Sequence, residues 1–328
     1  MPHTTLAELS RIQEPVRDRL DQLDDVMRRL LVDEFELIDE INDYLLLKRG
    51  KLFRPTLLLL SNEIGEKPSR EALLLAAAVE AVHLATLVHD DAVDHSALRR
   101  GMPTVNSVWG CQTAIIMGDY LYSRSVMEMT RLRRVDVIAV LAEAANAMTI
   151  GEMRQLAMHD ALSFTEDDYY RLISAKTASL MSAACQLGSM VGDPTYSDRL
   201  RNYGYALGMA FQVADDILDY TGAEEMTGKP SGLDLREHKV TLPLIMALRE
   251  FDREQRLAVN ALFADPDPDD GLIARVVEAT EACGGIRYAR AKARQFADQA
   301  LAAIEDLPEC PAASALAGAV DYTVERRK

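Results

Sequence analysis

ALLLAAAVEAVHLATLVHDDAVD, residues 72–94, decides the fold. Its apolar residues fall on every side of a helix of 3.6 residues per turn, so the segment reads as a helix buried almost all round. No glycine or proline interrupts it. A helix of that kind needs other helices about it, and the chain supplies them. Leu6, Leu9, Ile12, Val16, Leu20 and Leu23 step by three and four as one amphipathic N-terminal helix. Segments 111–130, 135–158, 166–191, 196–220, 242–249, 253–263, 271–282 and 286–307 read the same way, with 196–220 also central. Gly- and Pro-bearing breaks fall between them, as at 65–68, 101–103, 192–194, 222–234 and 265–270. No segment alternates over strand length, and no linker divides the chain. The expectation is an all-α single domain over residues 1–328.

Composition narrows the function. The 328 residues carry 36 Lys+Arg against 52 Asp+Glu, a formal charge of −16, which disfavours nucleic acid as a partner. An anionic ligand would have to be held by local bases or by metal ions. Four scattered cysteines, Cys111, Cys185, Cys283 and Cys310, form no zinc spacing and read as reduced thiols of a cytoplasmic protein. The first twenty residues lack an apolar signal core. The apolar run 72–88, broken by Glu80 and His83, reads as too short and too polar to span a bilayer. The protein is expected to be soluble, with at most peripheral membrane contact.

Two acidic triplets carry the chemistry. Asp90, Asp91 and Asp94 stand at i, i+1 and i+4, so Asp90 and Asp94 share a face while Asp91 lies roughly 100° round. GMAFQVADDILDYTG, residues 208–222, repeats the spacing with Asp215, Asp216 and Asp219, and places Gln212 one turn before Asp216. One triplet alone reads as a solvated helix end. Two, each closing an apolar helix, point to a cage of hard oxygen ligands suited to Mg2+. Bases lie in the punctuated segments: Lys51 and Arg54 in GKLFRP (50–55), Arg99 and Arg100 after the first triplet, Lys176 beside Thr177 in SAKTASL (174–180), and Lys229 and Lys239 in GKPSGLDLREHKVTLP (228–243). Each alone is an ordinary surface charge, but together they suit an acidic protein that must grip diphosphates. His83, seven residues before Asp90, lies within roughly 20° of it on the helix.

These motifs, with GEMRQ (Gly151, Glu152, Gln155), stand in the order found in trans-prenyltransferases, and the chain resembles the polyprenyl diphosphate synthase family. That resemblance implies an antiparallel helical bundle around a deep cavity, in a homodimer. It implies Mg2+, three ions to a site, held by Asp90, Asp91, Asp94, Asp215, Asp216 and Asp219, with Gln212 and Asp216 in support. It places Arg99, Lys176, Lys229 and Lys239, with Thr177, on an allylic diphosphate. Lys51, Arg54, His83 and Arg100 are placed on isopentenyl diphosphate. The reaction implied is ionisation, condensation and elimination, which needs no side-chain nucleophile.

Product length should follow from the tunnel wall below Asp90. Ala85 and Thr86, five and four residues before it, are small where the family's short-chain members carry Phe or Tyr, and Ala77, Ala78 and Ala81 continue the opening. The resemblance then implies a hexaprenyl-to-decaprenyl product, with Met117, Met127 and Met129 as candidates for the floor. A farnesyl or geranylgeranyl synthase is the alternative. A class I terpene cyclase lacks the isopentenyl-binding bases. A di-iron bundle needs a partner for the ExxH of Glu80 and His83, and none is suitably placed. A regulatory subunit would be expected to have lost one triplet.

Overall fold

The computed structural model describes residues 3–47, 50–65, 67–157, 161–221 and 232–325. The chain opens with α1 (His3–Gln13), α2 (Arg17–Leu31), α3 (Glu36–Leu47), α4 (Phe53–Asn62) and α5 (Glu71–Val93). A two-residue hairpin follows, β1 (Leu98–Arg99) antiparallel to β2 (Met102–Pro103), the one sheet among the described residues. Next come α6 (Val105–Trp109), α7 (Cys111–Thr130), α8 (Val135–Leu156) and α9 (Glu166–Ile173). A π-helical turn, Ser174–Ala178, joins α9 to α10 (Ser179–Val191), and α11 (Ser197–Thr221) completes the central group. The last elements are α12 (Leu233–Arg236), α13 (Leu242–Glu250), α14 (Arg253–Ala264), α15 (Asp270–Ala282), α16 (Gly285–Ile304) and α17 (Pro311–Val324).

The all-α expectation holds, with α5 and α11 in the interior as their composition requires. α5 packs against α2, α4, α7 and α10, and α11 against α10 and α16. Leu75, Ala76, Ala77, Ala78, Val79 and Ala81 of α5 are all fully buried. α5 is also the one helix among the described residues long and apolar enough to cross a membrane, which corrects the reading from the shorter run 72–88. Its burial against four other helices accounts for that composition without a bilayer.

Elsewhere the boundaries move for local reasons. The N-terminal helix is interrupted by a 3-10 turn at Glu14–Val16, where Pro15 has no N–H to donate, although Leu20 and Leu23 keep their expected places in the core. The single helix expected over 166–191 is broken by the π-helical turn. α3, α4 and α17 were not among the periodic segments. In α4 the Pro55 ring falls within the first turn, where no intrahelical N–H is lost, and α17 begins directly on Pro311 behind the capping thiol of Cys310.

The contact between α4 and α10 leaves no room for a side chain at Gly188: a Cβ there would run into the carbonyl oxygen of Leu58. The side-chain amide of Asn62 donates to the Gly188 carbonyl at 3.0 Å, locking the same crossing. Gly188→Ala should therefore destabilise the fold by roughly 1–3 kcal/mol, the usual cost of overpacking, read as a lowered midpoint in thermal and urea denaturation. An unchanged midpoint would show that the two helices can part without cost.

Candidate active site

The acidic end of α5 faces α8 and the π-helical turn. Lys176, carried on that turn, places its ammonium 2.6 Å from Glu152 Oε1 of α8 and 3.8 Å from Asp90 Oδ2. The turn can come this close because residue 151 is glycine: a Cβ there would stand 2.9 Å from that of Ala175. Burial pushes the Asp90 carboxyl up to about 6; Lys176 pulls it down, while Glu152 and Asp94 push it further up. Asp94, exposed, ends the helix with its N–H donating to the Asp90 carbonyl at 2.8 Å.

Asp91 has a different surrounding. It is buried, and its Oδ2 accepts from Arg99 Nε at 2.7 Å. Its Oδ1 is buried with no hydrogen-bond partner, and the residue lines a small cavity of about 70 Å³ together with Tyr44, Leu84, Leu87, Val88, Arg99 and Met102. The offset of roughly 100° that separates Asp91 from Asp90 turns it inward. Asp91, grouped by its spacing with the metal ligands, thus spends one oxygen on Arg99, and Arg99, assigned to the allylic diphosphate, is held by Asp91.

The second triplet divides in the same way. Asp215 is exposed, whereas Asp216 is buried. Asp216 Oδ2 accepts from the Tyr169 hydroxyl at 2.5 Å, and its Oδ1 from Gln212 Nε2 at 2.8 Å. Burial pushes the Asp216 carboxyl well up, with Asp234 adding to the effect and the two hydrogen bonds opposing it. Both oxygens being taken, Asp216 supports the site from behind instead of presenting a free ligand. Asp219 accepts the backbone N–H groups of Leu233 and Asp234 at 3.0 and 3.1 Å and so caps α12.

Lys239 joins the two acidic ends. Its ammonium lies 2.6 Å from Glu237. Burial alone would lower its pKa, but the bond to Glu237 and the charges of Glu237, Asp234 and Asp94 raise it. Asp234 in turn is pushed up to about 7 by burial and by Asp219, with Lys239 opposing. Lys239 thus feels Asp94 at the end of α5 and Asp234, which itself feels Asp219 of the second triplet. Lys229 lies outside the described residues.

The bases assigned to isopentenyl diphosphate gather at the start of α4. Arg54, Glu80, His83 and Arg100 act on one another electrostatically. Burial, reinforced by Arg54, Arg100 and Arg99, pushes the His83 imidazole well below its usual range, so it is neutral at physiological pH. The Arg54 Nε is buried with no hydrogen-bond partner, an expensive arrangement unless an anion meets the guanidinium. Gly50 lets Arg100 pass close, since a Cβ there would meet its Nη1 at 2.9 Å, and Lys51 Nζ lies 5.9 Å from the centre of the Tyr322 ring.

On the expected tunnel wall, Ala85 is buried and Thr86 half-buried, its hydroxyl donating to the His83 carbonyl at 2.8 Å. Met117 and Met129 are buried, but Met127 is 44% exposed on the outer face of α7 and is no floor residue in this chain. Glu80, which the sequence marks only as a break in the apolar run and half of an ExxH, interacts with Arg54 and Arg100, and Tyr169 lies in no motif. Asp234 and Glu237 stood inside a quoted motif without a role.

Among the described residues no three acidic, histidine or cysteine side chains converge as a closed metal site. The donor set nevertheless suits Mg2+, which takes one or two carboxylates and completes its shell with phosphate oxygens and water. Asp90 and Asp94, which share a face at the end of α5, and Asp215, exposed on α11, are carboxylates that could take part in such a shell.

The chain matches the family model described as polyprenyl synthetase over residues 35–280. It is 34% identical over 320 residues to octaprenyl diphosphate synthase of Escherichia coli, covering 97% of this chain and 99% of that one. A crystal structure of a decaprenyl diphosphate synthase from Rhodobacter capsulatus superposes with a TM-score of 0.91 at 34% identity, over 98% of this chain and 99% of that one. A polyprenyl synthase from Caulobacter crescentus, complexed with calcium and isoprenyl diphosphate, gives 0.91 at 31% identity, over 98% of each chain.

Burial of Asp90 has a measurable cost. Its folded carboxyl, at about 6 against an ordinary 3.8, holds its proton more tightly than the unfolded one. Wild-type stability should therefore fall as pH rises through that interval, by roughly 2–3 kcal/mol at most. Asp90→Asn, measured with EDTA present, should melt higher than wild type at neutral pH and lose that advantage by about pH 4. A variant less stable at neutral pH would show that Lys176 already compensates the charge.

Proposed function

We infer, for a chain that belongs to the polyprenyl synthetase family, that it elongates an allylic diphosphate with isopentenyl diphosphate to an all-trans polyprenyl diphosphate of the hexaprenyl-to-decaprenyl class. One observation carries this reading: Lys239 feels the charges of Asp94 at one acidic helix end and of Asp234 near the other, while Arg54, its Nε–H buried without a partner, interacts with Glu80 and Arg100 beside His83. A diphosphate at each place would satisfy both.

Arg54, Arg100 and Lys51 hold the isopentenyl diphosphate by charge, and neutral His83 offers a hydrogen bond. Lys176, Lys239 and, by motif, Lys229 hold the allylic diphosphate. Asp90, Asp94 and Asp215 hold Mg2+, three ions being the proposed count, with Asp91, Asp216 and Asp219 fixing the frame behind them. When bound, Mg2+ supplies Lewis-acid neutralisation of the diphosphate leaving group. The allylic carbon–oxygen bond breaks and its electron pair leaves with diphosphate. The isopentenyl double bond then attacks the allylic cation, and the departed diphosphate takes the proton whose loss restores an alkene. The lysines aimed at that diphosphate need no reorganisation as charge develops on it, which is where such groups lower a barrier most.

Ala85 and Thr86 leave the wall below Asp90 open, and Met129 is the proposed floor. Two copies are proposed to pair through the outer face of α7, where Ile116 (67% exposed) and Met127 recur three turns apart.

With farnesyl diphosphate, isopentenyl diphosphate and Mg2+, the protein should release a product of six to ten isoprene units by chromatography, and EDTA should abolish it. Loss of Asp90 as a ligand in Asp90→Asn should lower kcat by about a hundredfold or more while the fold persists. Failure to condense the two diphosphates, or a normal rate in this variant, would refute the assignment. Ala85→Phe should shorten the product; an unchanged chain length would remove Ala85 from the tunnel wall.

A further inference from the structure

Four side chains on three elements form a buried relay that ends beside Lys176. The Tyr169 hydroxyl of α9, 2% exposed, donates to Asp216 Oδ2 at 2.5 Å. Gln212 of α11 donates through Nε2 to Asp216 Oδ1 at 2.8 Å, and its Oε1 accepts from Thr177 Oγ1 at 2.8 Å. The Gln212 amide thus turns its NH2 to Asp216 and its oxygen to Thr177, linking the two side chains through both of its ends. Thr177 is itself buried and adjoins Lys176, the residue whose ammonium sits 2.6 Å from Glu152 and 3.8 Å from Asp90.

The turn that carries Lys176 and Thr177 is π-helical, with its hydrogen bonds widened by an extra residue, and the Thr177–Gln212 bond ties it to α11. We propose that Tyr169 is a positioning residue for the ionising half of the cleft, its hydroxyl setting Asp216, Gln212 and Thr177 and through them the ammonium of Lys176. Tyr169 touches no reacting atom. Without its hydroxyl, Asp216 Oδ2 is left buried and unpaired, and the carboxylate and the Gln212 amide are free to reorient. The bases proposed for isopentenyl diphosphate sit just before and on α4, on α5 and in the hairpin, outside this relay, so the two halves of the reaction should respond differently.

The inference rests on the proposed function, and the test separates the two. In Tyr169→Phe, kcat should fall about tenfold or more, since small displacements of a charge-stabilising group are costly, while KM for isopentenyl diphosphate stays within about twofold. Mg2+-dependent solvolysis of farnesyl diphosphate without isopentenyl diphosphate should fall by the same factor as kcat. Thr177→Val should repeat this split and Thr177→Ser, which keeps the hydroxyl, should restore most of the rate. A folded Tyr169→Phe protein with kcat within about twofold of wild type overturns the proposal, as does a KM for isopentenyl diphosphate that rises as much as kcat falls. Should Tyr169→Phe fail to fold, the Thr177 pair decides, and equal rates for Val and Ser overturn it. A wild-type chain that cannot condense the substrates sinks the function itself; an active wild type with a normal Tyr169→Phe sinks only the relay.

Discussion

Carboxylates gathered at the ends of two apolar helices are the constraint to which the rest of the site answers. Each negative charge drawn from water must be met by a positive charge or a hydrogen-bond donor, or it will bind a proton instead. Lys176 between Asp90 and Glu152, Lys239 beside Glu237 and Asp234, Arg99 on Asp91, and Tyr169 with Gln212 on Asp216 are the local answers. They leave Asp90 and Asp234 only partly compensated, with carboxyls pushed up to about 6 and about 7, and Asp216 stays pushed well up despite its two hydrogen bonds. That residual deficit is the chemical invitation to a divalent cation.

Both triplets are built to one plan. The outer pair, at i and i+4, shares a face, while the middle acid is turned roughly 100° away into the interior. There Asp91 is fixed by a guanidinium and Asp216 by a phenol and an amide, two unrelated sets of donors performing the same task. The second triplet departs in one respect: its last acid, Asp219, caps α12 and so ties the end of α11 to the segment that carries Lys239. The motif as a string of letters treats its three acids alike, and the helix does not.

That asymmetry marks how far the sequence could be read. Helical period located α5 and α11 because their apolar residues leave no polar side, and the spacing alone put Asp90 and Asp94 together. It could not say that Arg99 would return to Asp91, because that depends on the tight hairpin at Leu98–Pro103. The π-helical turn was hidden as well, since SAKTASL contains no residue that breaks a helix. Met127 shows a simpler limit: a side chain suited to filling apolar space need not face inward, and this one is exposed. The charge of Asp94 felt by Lys239 was out of reach because it links segments far apart along the chain that only packing brings near.

The extra residue in the π-helical turn has one more consequence. Losing a single codon between 174 and 178 would restore regular hydrogen bonding and relax the backbone, yet it would rotate α9 against α10 by roughly a quarter-turn. Tyr169 would leave Asp216, and Lys176 would leave the crevice beside Gly151. Gene variants that shorten this point should accordingly be purged even though they tidy the helix.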